Sequence, residues 1–370
     1  MDPLDSWGWN DFYRNAYEAQ GFEPEKFCPG RVLSQREDTF TLITPGGLRW
    51  AHPAGVLFHK KRSGERPGVG DWVVLERIDC PVTDERNKVT VTHSLARVLP
   101  RRSCFIREAS GGRGEAQIVA TNVDKIFVVN PVDDLNLNRI ERFVVAIVSG
   151  GAIPAIVLSK DDLVHEEERR EARARLREVF EGLEVLTTGE AFSDSGPVRK
   201  IFDSVLERGK TYALVGASGV GKSTLVNALL DEERQETGAV REGDGKGRHV
   251  TSFRELFALP NGALLMDTPG VREFAMWSQG DGLAEVFADI VDLEQGCRFR
   301  DCSHRTEPGC QIREAVERGE VTERRLQNWR TLSLEIHDNV ERQKLRESKR
   351  ERSDLRRKKK RDKRFSKPNR

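Results

Sequence analysis

Two hydrophobic rhythms divide the chain. Between residues 115 and 275, apolar runs at 125–130, 152–159, 183–187, 211–216 and 263–267 alternate with segments of helical spacing at 137–148, 166–181 and 222–230. Buried strands read as continuous apolar runs and amphipathic helices as 3.6-residue stripes, so this alternation predicts a three-layer α/β domain with a mostly parallel sheet. Residues 31–100 keep a different time. Phe40-Thr41-Leu42-Ile43 stops at Pro45-Gly46-Gly47, Asp71-Trp72-Val73-Val74-Leu75 follows the Gly68-Val69-Gly70 turn, and Val89-Thr90-Val91-Thr92 closes the set. Short strands between turns predict a small β-barrel, with an OB-fold the leading candidate. Period alone does not separate it from an SH3-like barrel.

The two ends follow neither rhythm. Trp7, Trp9, Phe12, Tyr13 and Tyr17 make residues 1–30 an aromatic-rich extension, expected to form a short helix packed on a neighbouring domain; a partner contact is the alternative. After Asp281 the chain carries Cys and His, then becomes helical and charged, then basic. The expected order is therefore an extension (1–30), an OB-fold barrel (31–102), an α/β domain (103–280), an α-helical domain (281–340) and a basic tail (341–370).

Composition adds three constraints. At 370 residues, with 37% hydrophobic and 33% charged, the chain has room for more than one core. It contains no apolar run of the roughly 18 residues a membrane helix needs, and the polar start Met1-Asp2-Pro3-Leu4-Asp5 argues against a secretory signal. A cytoplasmic protein without a membrane partner is expected. Net charge is only +1, yet residues 342–370 hold 16 Lys or Arg against four Asp or Glu. Such a block repels itself and predicts disorder, or helix only when bound. It reads either as a solubilising tail or as a counterion-releasing contact with RNA. Lys60-Lys61-Arg62, on a predicted barrel loop, carries the same ambiguity.

Candidate chemistry starts at Gly216-Ala217-Ser218-Gly219-Val220-Gly221-Lys222-Ser223-Thr224, which matches G-x-x-x-x-G-K-[ST] between a strand-like and a helix-like run. The glycines let backbone N–H groups surround phosphate oxygens, and the following helix adds its positive end. Lys222 is expected to reach the β- and γ-phosphates and the Ser223 hydroxyl to ligand Mg²⁺. Asp267-Thr268-Pro269-Gly270 after an apolar run reads as switch II, with Asp267 holding Mg²⁺ through water and the Gly270 amide meeting the γ-phosphate. Between them, Gly245-Lys246-Gly247-Arg248-His249-Val250-Thr251-Ser252 reads as switch I. Thr251 is its Mg²⁺ ligand, with Ser252 the second candidate.

Upstream of the P-loop, Ser159-Lys160-Asp161-Asp162 looks like the guanine-reading N-K-x-D element, with Ser159 in place of Asn. The Asp162 carboxylate can accept the N1–H and N2–H₂ of guanine, donors that adenine lacks, while Lys160 would lie over the base. Thr188, after a strand, is a candidate for the backbone contact to guanine O6. In an ordinary GTPase this element follows the P-loop; here it precedes it. Ligands at the C-terminal edge of a parallel sheet are indifferent to such permutation. Finally, Cys297-x₄-Cys302-x-His304-x₅-Cys310 offers three thiolates and an imidazole, a closed Cys₃His set suited to one structural Zn²⁺.

In this order the motifs closely resemble the ribosome small-subunit-dependent GTPase A family, circularly permuted GTPases of 30S subunit maturation, over about residues 30–335. The resemblance implies an OB-fold, a permuted GTPase domain and a zinc domain that together clasp the small subunit. It also implies GTP/GDP binding, 16S rRNA as partner, and slow hydrolysis that rises on the ribosome. A monomer is expected. Val271 stands where many GTPases carry a water-orienting glutamine, so His249 in switch I is the candidate for that role. Two other readings stay open: an RNA-binding checkpoint in which hydrolysis serves only release, and a P-loop kinase, which Asp162 and the 267–270 element disfavour.

Overall fold

Five strands close the barrel. β1 (Phe27–Arg36), β2 (Thr39–Thr44), β3 (Gly47–Pro53), β4 (Trp72–Asp84) and β5 (Val89–Val98) neighbour one another in the order β1-β2-β3-β5-β4, and β4 pairs back onto β1. Only the β3–β5 pair is parallel. Of these strands, β1 and β3 are the two that the apolar pattern leaves out, because Pro29-Gly30 reads as punctuation and Arg49 and His52 interrupt the alternation. The computed structural model describes residues 2–55, 66–108, 116–188, 200–230, 255–267 and 281–365. It falls into two units, Met1–Ala275 and Met276–Arg370. Lys60, Lys61 and Arg62 lie outside the described residues.

The N-terminal extension packs as expected. Helix α1 (Asp11–Glu18) begins at Asn10, whose side chain accepts the Phe12 N–H at 3.0 Å. Trp9 and Tyr13 close over the fully buried Trp72, with ring centroids 4.6 and 5.6 Å from it. These contacts remove large apolar rings from water at the barrel base, where aromatic burial carries most weight.

A hairpin of β6 (Cys104–Glu108) and β7 (Ala116–Thr121), absent from the sequence reading, leads into the second sheet. There β8 (Lys125–Pro131), β9 (Ile153–Ser159), β10 (Glu184–Thr187), β11 (Thr211–Val215), β12 (Glu255–Ala258) and β13 (Leu264–Asp267) stand in the order β10-β9-β8-β11-β13-β12. All neighbours are parallel except the edge strand β12. Helices α2 (Leu137–Ser149), α3 (Glu166–Val179) and α4 (Lys222–Leu230) occupy the predicted stretches, with ends displaced by at most two residues. The core is apolar on both faces of the strands: Phe127, Val129, Ala155, Val157, Leu214, Leu225 and Leu265 belong to one buried cluster, and Ile126, Val128, Ile156 and Leu158 are buried on the opposite face. From β8 the chain moves outward through β9 and β10, then returns to β11 on the other side. The reversal at β8 and β11 is the switch point where open α/β sheets bind ligands. At the far edge Ser34 of β1 pairs with Glu255 of β12, so barrel and sheet are continuous.

In the second unit, α5 (Gly282–Val286), α6 (Ala288–Glu294), α7 (Gln311–Glu317) and α8 (Glu323–Phe365) bury Phe287, Ile290, Ile312, Ala315, Leu326 and Leu332. Arg325 grips Asp289 with two bonds of 2.7 and 2.8 Å and stacks 4.5 Å from the Phe287 ring. The tail departs from expectation: instead of disorder from residue 341, α8 continues to Phe365. Arg, Lys, Glu and Leu are strong helix formers, and that propensity outweighs the charge repulsion on which the expectation of disorder rested. Among the described residues no helix is long and apolar enough to cross a membrane.

Candidate functional site

The loops that carry the nucleotide motifs leave one edge of the sheet. Val215 of β11 is level with Val128 of β8, Ser159 of β9 with Pro131, and Thr187 of β10 with Leu158. Because these strands are parallel, their C-terminal ends, and Asp267 at the end of β13, face the same side. β11 is buried along its length and delivers Gly216, whose φ of 149° and tight surroundings need glycine: a Cβ there would lie 2.4 Å from the Val129 carbonyl oxygen. Gly219 and Gly221 also take positive φ, at 77° and 95°. α4 then starts at Lys222, so its N-terminal turn follows the loop directly.

Lys222 Nζ donates to the carbonyls of Gly216 and Ala217, at 3.0 and 2.5 Å. The ammonium is thereby folded onto the loop. Ser218, Val220, Ser223 and Thr224 complete the loop and the first turn.

The guanine-reading element is tied to this loop. Ser159 is fully buried and its Oγ donates to the Val220 carbonyl at 2.7 Å. A serine in the asparagine position thus still links β9 to the P-loop, through one short bond. Lys160 adopts a left-handed φ of 55°, and a 3₁₀ turn over Asp161–Leu163 turns Asp161 inward and leaves Asp162 exposed. Asp162 therefore presents its carboxylate to solvent at the sheet edge.

Thr188 behaves differently from the expectation. Its N–H donates to the Leu158 carbonyl at 3.1 Å, and its Oγ1 donates to Asp161 Oδ1 at 3.1 Å. With the amide committed to the sheet, Thr188 braces Asp161 rather than offering an N–H to guanine O6. The pair Thr188–Asp161 was not legible in the sequence, because the x of N-K-x-D carries no expectation of burial. Asn130 was also missed. It is buried at the end of β8, where its Nδ2 donates to the carbonyls of Pro131 and Asp134 and shapes the adjacent loop. His249, Thr251, Ser252, Gly270 and Val271 lie outside the described residues.

The second centre lies within the helical unit. The ligand atoms of Cys297, Cys302, His304 and Cys310 all fall within 4.8 Å of one another. Cys297 Sγ and Cys310 Sγ are 3.9 Å apart and stand 3.6 and 3.5 Å from His304 Nδ1. A tetrahedral ion with Zn–S near ~2.3 Å and Zn–N near ~2.0 Å has edges of about 3.5–3.8 Å, so the four residues fit one. His304 is nearly buried, takes a φ of 57° and sits edge-on to Trp329 at 5.6 Å. Its Nε2 faces Glu294 Oε1 at 3.4 Å, which directs Nδ1 to the cluster as an outer carboxylate does in metal sites. Burial, with the Cys310 and Cys297 thiols beside it, pushes the Cys302 thiol up to about 11. The cluster can hold a metal ion.

Known proteins repeat this arrangement. The model described as "RsgA GTPase" matches residues 98–277, and one described as "50S ribosome-binding GTPase" matches 211–348, beginning at the strand before the P-loop. The "Small ribosomal subunit biogenesis GTPase RsgA" of Methanosarcina acetivorans is 40% identical over 331 residues, covering 89% of this chain and 84% of that protein. The chain belongs to the RsgA GTPase family. The protein of the same name from Opitutus terrae is 38% identical over 335 residues, covering 90% and 89%. Two solved structures share the fold. "Crystal structure of YjeQ from Thermotoga maritima" has a TM-score of 0.57 at 24% identity, over 84% of this chain and 98% of that one. "The crystal structure of YloQ, a circularly permuted GTPase" has 0.56 at 21%, over 84% and 96%. As a member of the RsgA GTPase family the chain is a GTPase of permuted order that binds GTP and GDP.

Proposed function

We propose that this GTPase acts in late maturation of the small ribosomal subunit, binding 16S rRNA of the 30S particle and leaving on or after GTP hydrolysis. The observation that carries the reading is the bond from Ser159 to the Val220 carbonyl, which couples a guanine reader placed before the P-loop to the loop that senses phosphate. The relatives' printed name supplies the substrate particle. In this reading Asp162 and Lys160 select guanine, Lys222 and the loop amides bind the β- and γ-phosphates, and Ser223 with Thr251 ligands Mg²⁺. Asp267 holds that ion through water, Gly270 meets the γ-phosphate, and His249 orients the attacking water.

The strand order β1-β2-β3-β5-β4-β1 supports an OB-fold for residues 31–102, and its loops would face rRNA. Residues 103–280 would form the GTPase domain, and 281–340 a domain built on one structural Zn²⁺ held by Cys297, Cys302, His304 and Cys310. The helix carrying residues 341–365 would add phosphate contacts. We place the protein in the cytoplasm as a monomer between ribosome encounters. Turnover of GTP measured with and without purified 30S particles tests this reading. Strong stimulation is expected, and equal rates would sink it, as would equal competition by ATP for the site.

A further inference from the structure

A cavity of about 200 Å³ opens where the N-terminal segment, the barrel and the starts of β8 and β11 meet. This is the N-terminal end of the parallel strands, a strand length away from the P-loop. Arg31 of β1 reaches it from inside the protein and is 2% exposed. Its Nε donates to the Gly70 carbonyl at 3.3 Å and its Nη1 to the Trp7 carbonyl; Nη2 donates to the Asn122 carbonyl at 3.2 Å and to Thr211 Oγ1 at 2.8 Å. Every one of these acceptors is neutral. Nearby carboxylates are already taken: Asp71 by Arg101 at 2.7 Å, and Asp124 by Lys210 at 3.4 Å, Arg102 at 3.8 Å and the Thr211 N–H at 2.8 Å. Among the described residues Arg31 forms no ion pair. A buried cation with no carboxylate in contact is costly; Asp124 and Asp71 act on Arg31 only from a distance, and the Trp72 ring centroid lies 5.5 Å from its guanidinium carbon.

Other lining groups point the same way. Arg31, Arg102, Arg208 and Lys210 outnumber Asp5 and Asp124, and Asp5 is held by the Asp2 N–H and Arg14. One buried donor beside the cavity lacks a partner among the described residues, the Trp72 indole Nε1, and the Tyr13 side chain lines the cavity as well. Burial pushes Tyr13 up to about 12, so it remains a neutral donor, and the charges that act on it most are those of Arg31 and Arg102. The surplus is entirely of donors and positive charge.

We infer that this cavity binds a phosphate-sized oxyanion, held by Arg31, Arg102, Lys210 and the Tyr13 hydroxyl. It is either free inorganic phosphate or the head of a small phosphomonoester. The volume equals about six or seven water molecules at ~30 Å³ each. It is below the ~300 Å³ at which drug-sized ligand pockets begin, so a second nucleotide is excluded. Through Thr211, which bonds Arg31 and opens β11, the occupant would brace the barrel against the strand that leads to the P-loop.

The test uses the full chain saturated with Mg²⁺ and a non-hydrolysable GTP analogue, so that phosphate cannot report from the P-loop. Inorganic phosphate is titrated while tryptophan emission is followed, since Trp9 and Trp72 line the cavity. A parallel titration uses ribose 5-phosphate, and one with chloride at equal ionic strength is the control. Saturable binding of phosphate is expected, weakened about tenfold for each charge-assisted bond lost in Arg102→Ala and Lys210→Ala. Both residues are partly exposed, so these variants keep the fold, whereas removing the buried Arg31 side chain would unpack it. Tighter binding of ribose 5-phosphate identifies a phosphomonoester; equal or weaker binding identifies phosphate itself. No saturation, an equal response to chloride, or affinity unchanged in the double variant overturns the proposal.

Discussion

At the nucleotide edge the working groups are largely backbone, presented by loops at the ends of strands whose side chains are buried in a shared core. In the second unit four side chains from one short segment gather on their own, between helices of five to seven residues. The first arrangement is prepared by the sheet before any ligand arrives: β11 is buried throughout, Gly216 has no room for a Cβ, and Lys222 is already folded onto the loop. The second brings three thiols and an imidazole together within a unit whose apolar core is small, built from Phe287, Ile290, Ile312, Leu326 and Leu332. An ion bound there would add its binding free energy to the folding of that unit.

Several measurements would break or sharpen that contrast. The largest effect is expected from Cys297→Ser combined with Cys310→Ser, since structural Zn²⁺ contributes about 10–16 kcal/mol in isolated zinc modules. The variant should carry no metal and its second unit should melt at a much lower temperature, while binding of a GTP analogue stays close to that of the parent. Loss of nucleotide binding as well would mean that the two centres are not independent. Lys222→Ala is the converse. Hydrolysis should fall at least about a hundredfold, the scale on which removing one charge-stabilising group acts, with metal content unchanged.

Asp162→Ala should weaken GTP binding by about a hundredfold, corresponding to the loss of two hydrogen bonds to a charged acceptor. Binding of ATP should not move. Ser159→Ala removes one neutral bond and should cost roughly 1 kcal/mol, about fivefold in nucleotide affinity; a far larger loss would show that serine positions more than the Val220 carbonyl. The smallest effect concerns pH. In the folded metal-free unit the Cys302 thiol holds its proton more tightly than in the unfolded chain, rising from 9.0 to about 11. The contribution is therefore fully present below pH 9 and lost as pH rises toward 11, where the metal-free unit should melt earlier. Metal binding requires the thiolate, so the gain in Tm on adding Zn²⁺ should grow across the same window.

How much of this the sequence disclosed depends on what each group contributes. The placement of Lys222 and Asp162 just past strand ends and the gathering of the Cys₃His set were legible because motif spacing fixes where such residues fall relative to strands and turns. The sheet was legible because strands buried on both faces must be apolar along their length. Thr188 was misread because the use of an amide depends on which carbonyl the fold places opposite it, and Leu158 took it. Asp161 and Arg31 escaped notice because burial of a charged side chain is decided by distant segments: Arg31 bonds residues 24, 39, 91 and 180 positions away. In the tail, charge density suggested disorder while helix propensity, summed over the same residues, gave α8.

That helix has a mechanical consequence. Its last buried described side chain is Leu332, yet it runs to Phe365, about 50 Å further along the axis at 1.5 Å per residue. A rod of that length bearing a surplus of positive charge offers a polyanion many weak contacts in a row. It would hold such a partner loosely, with a capture rate that falls steeply as salt is raised.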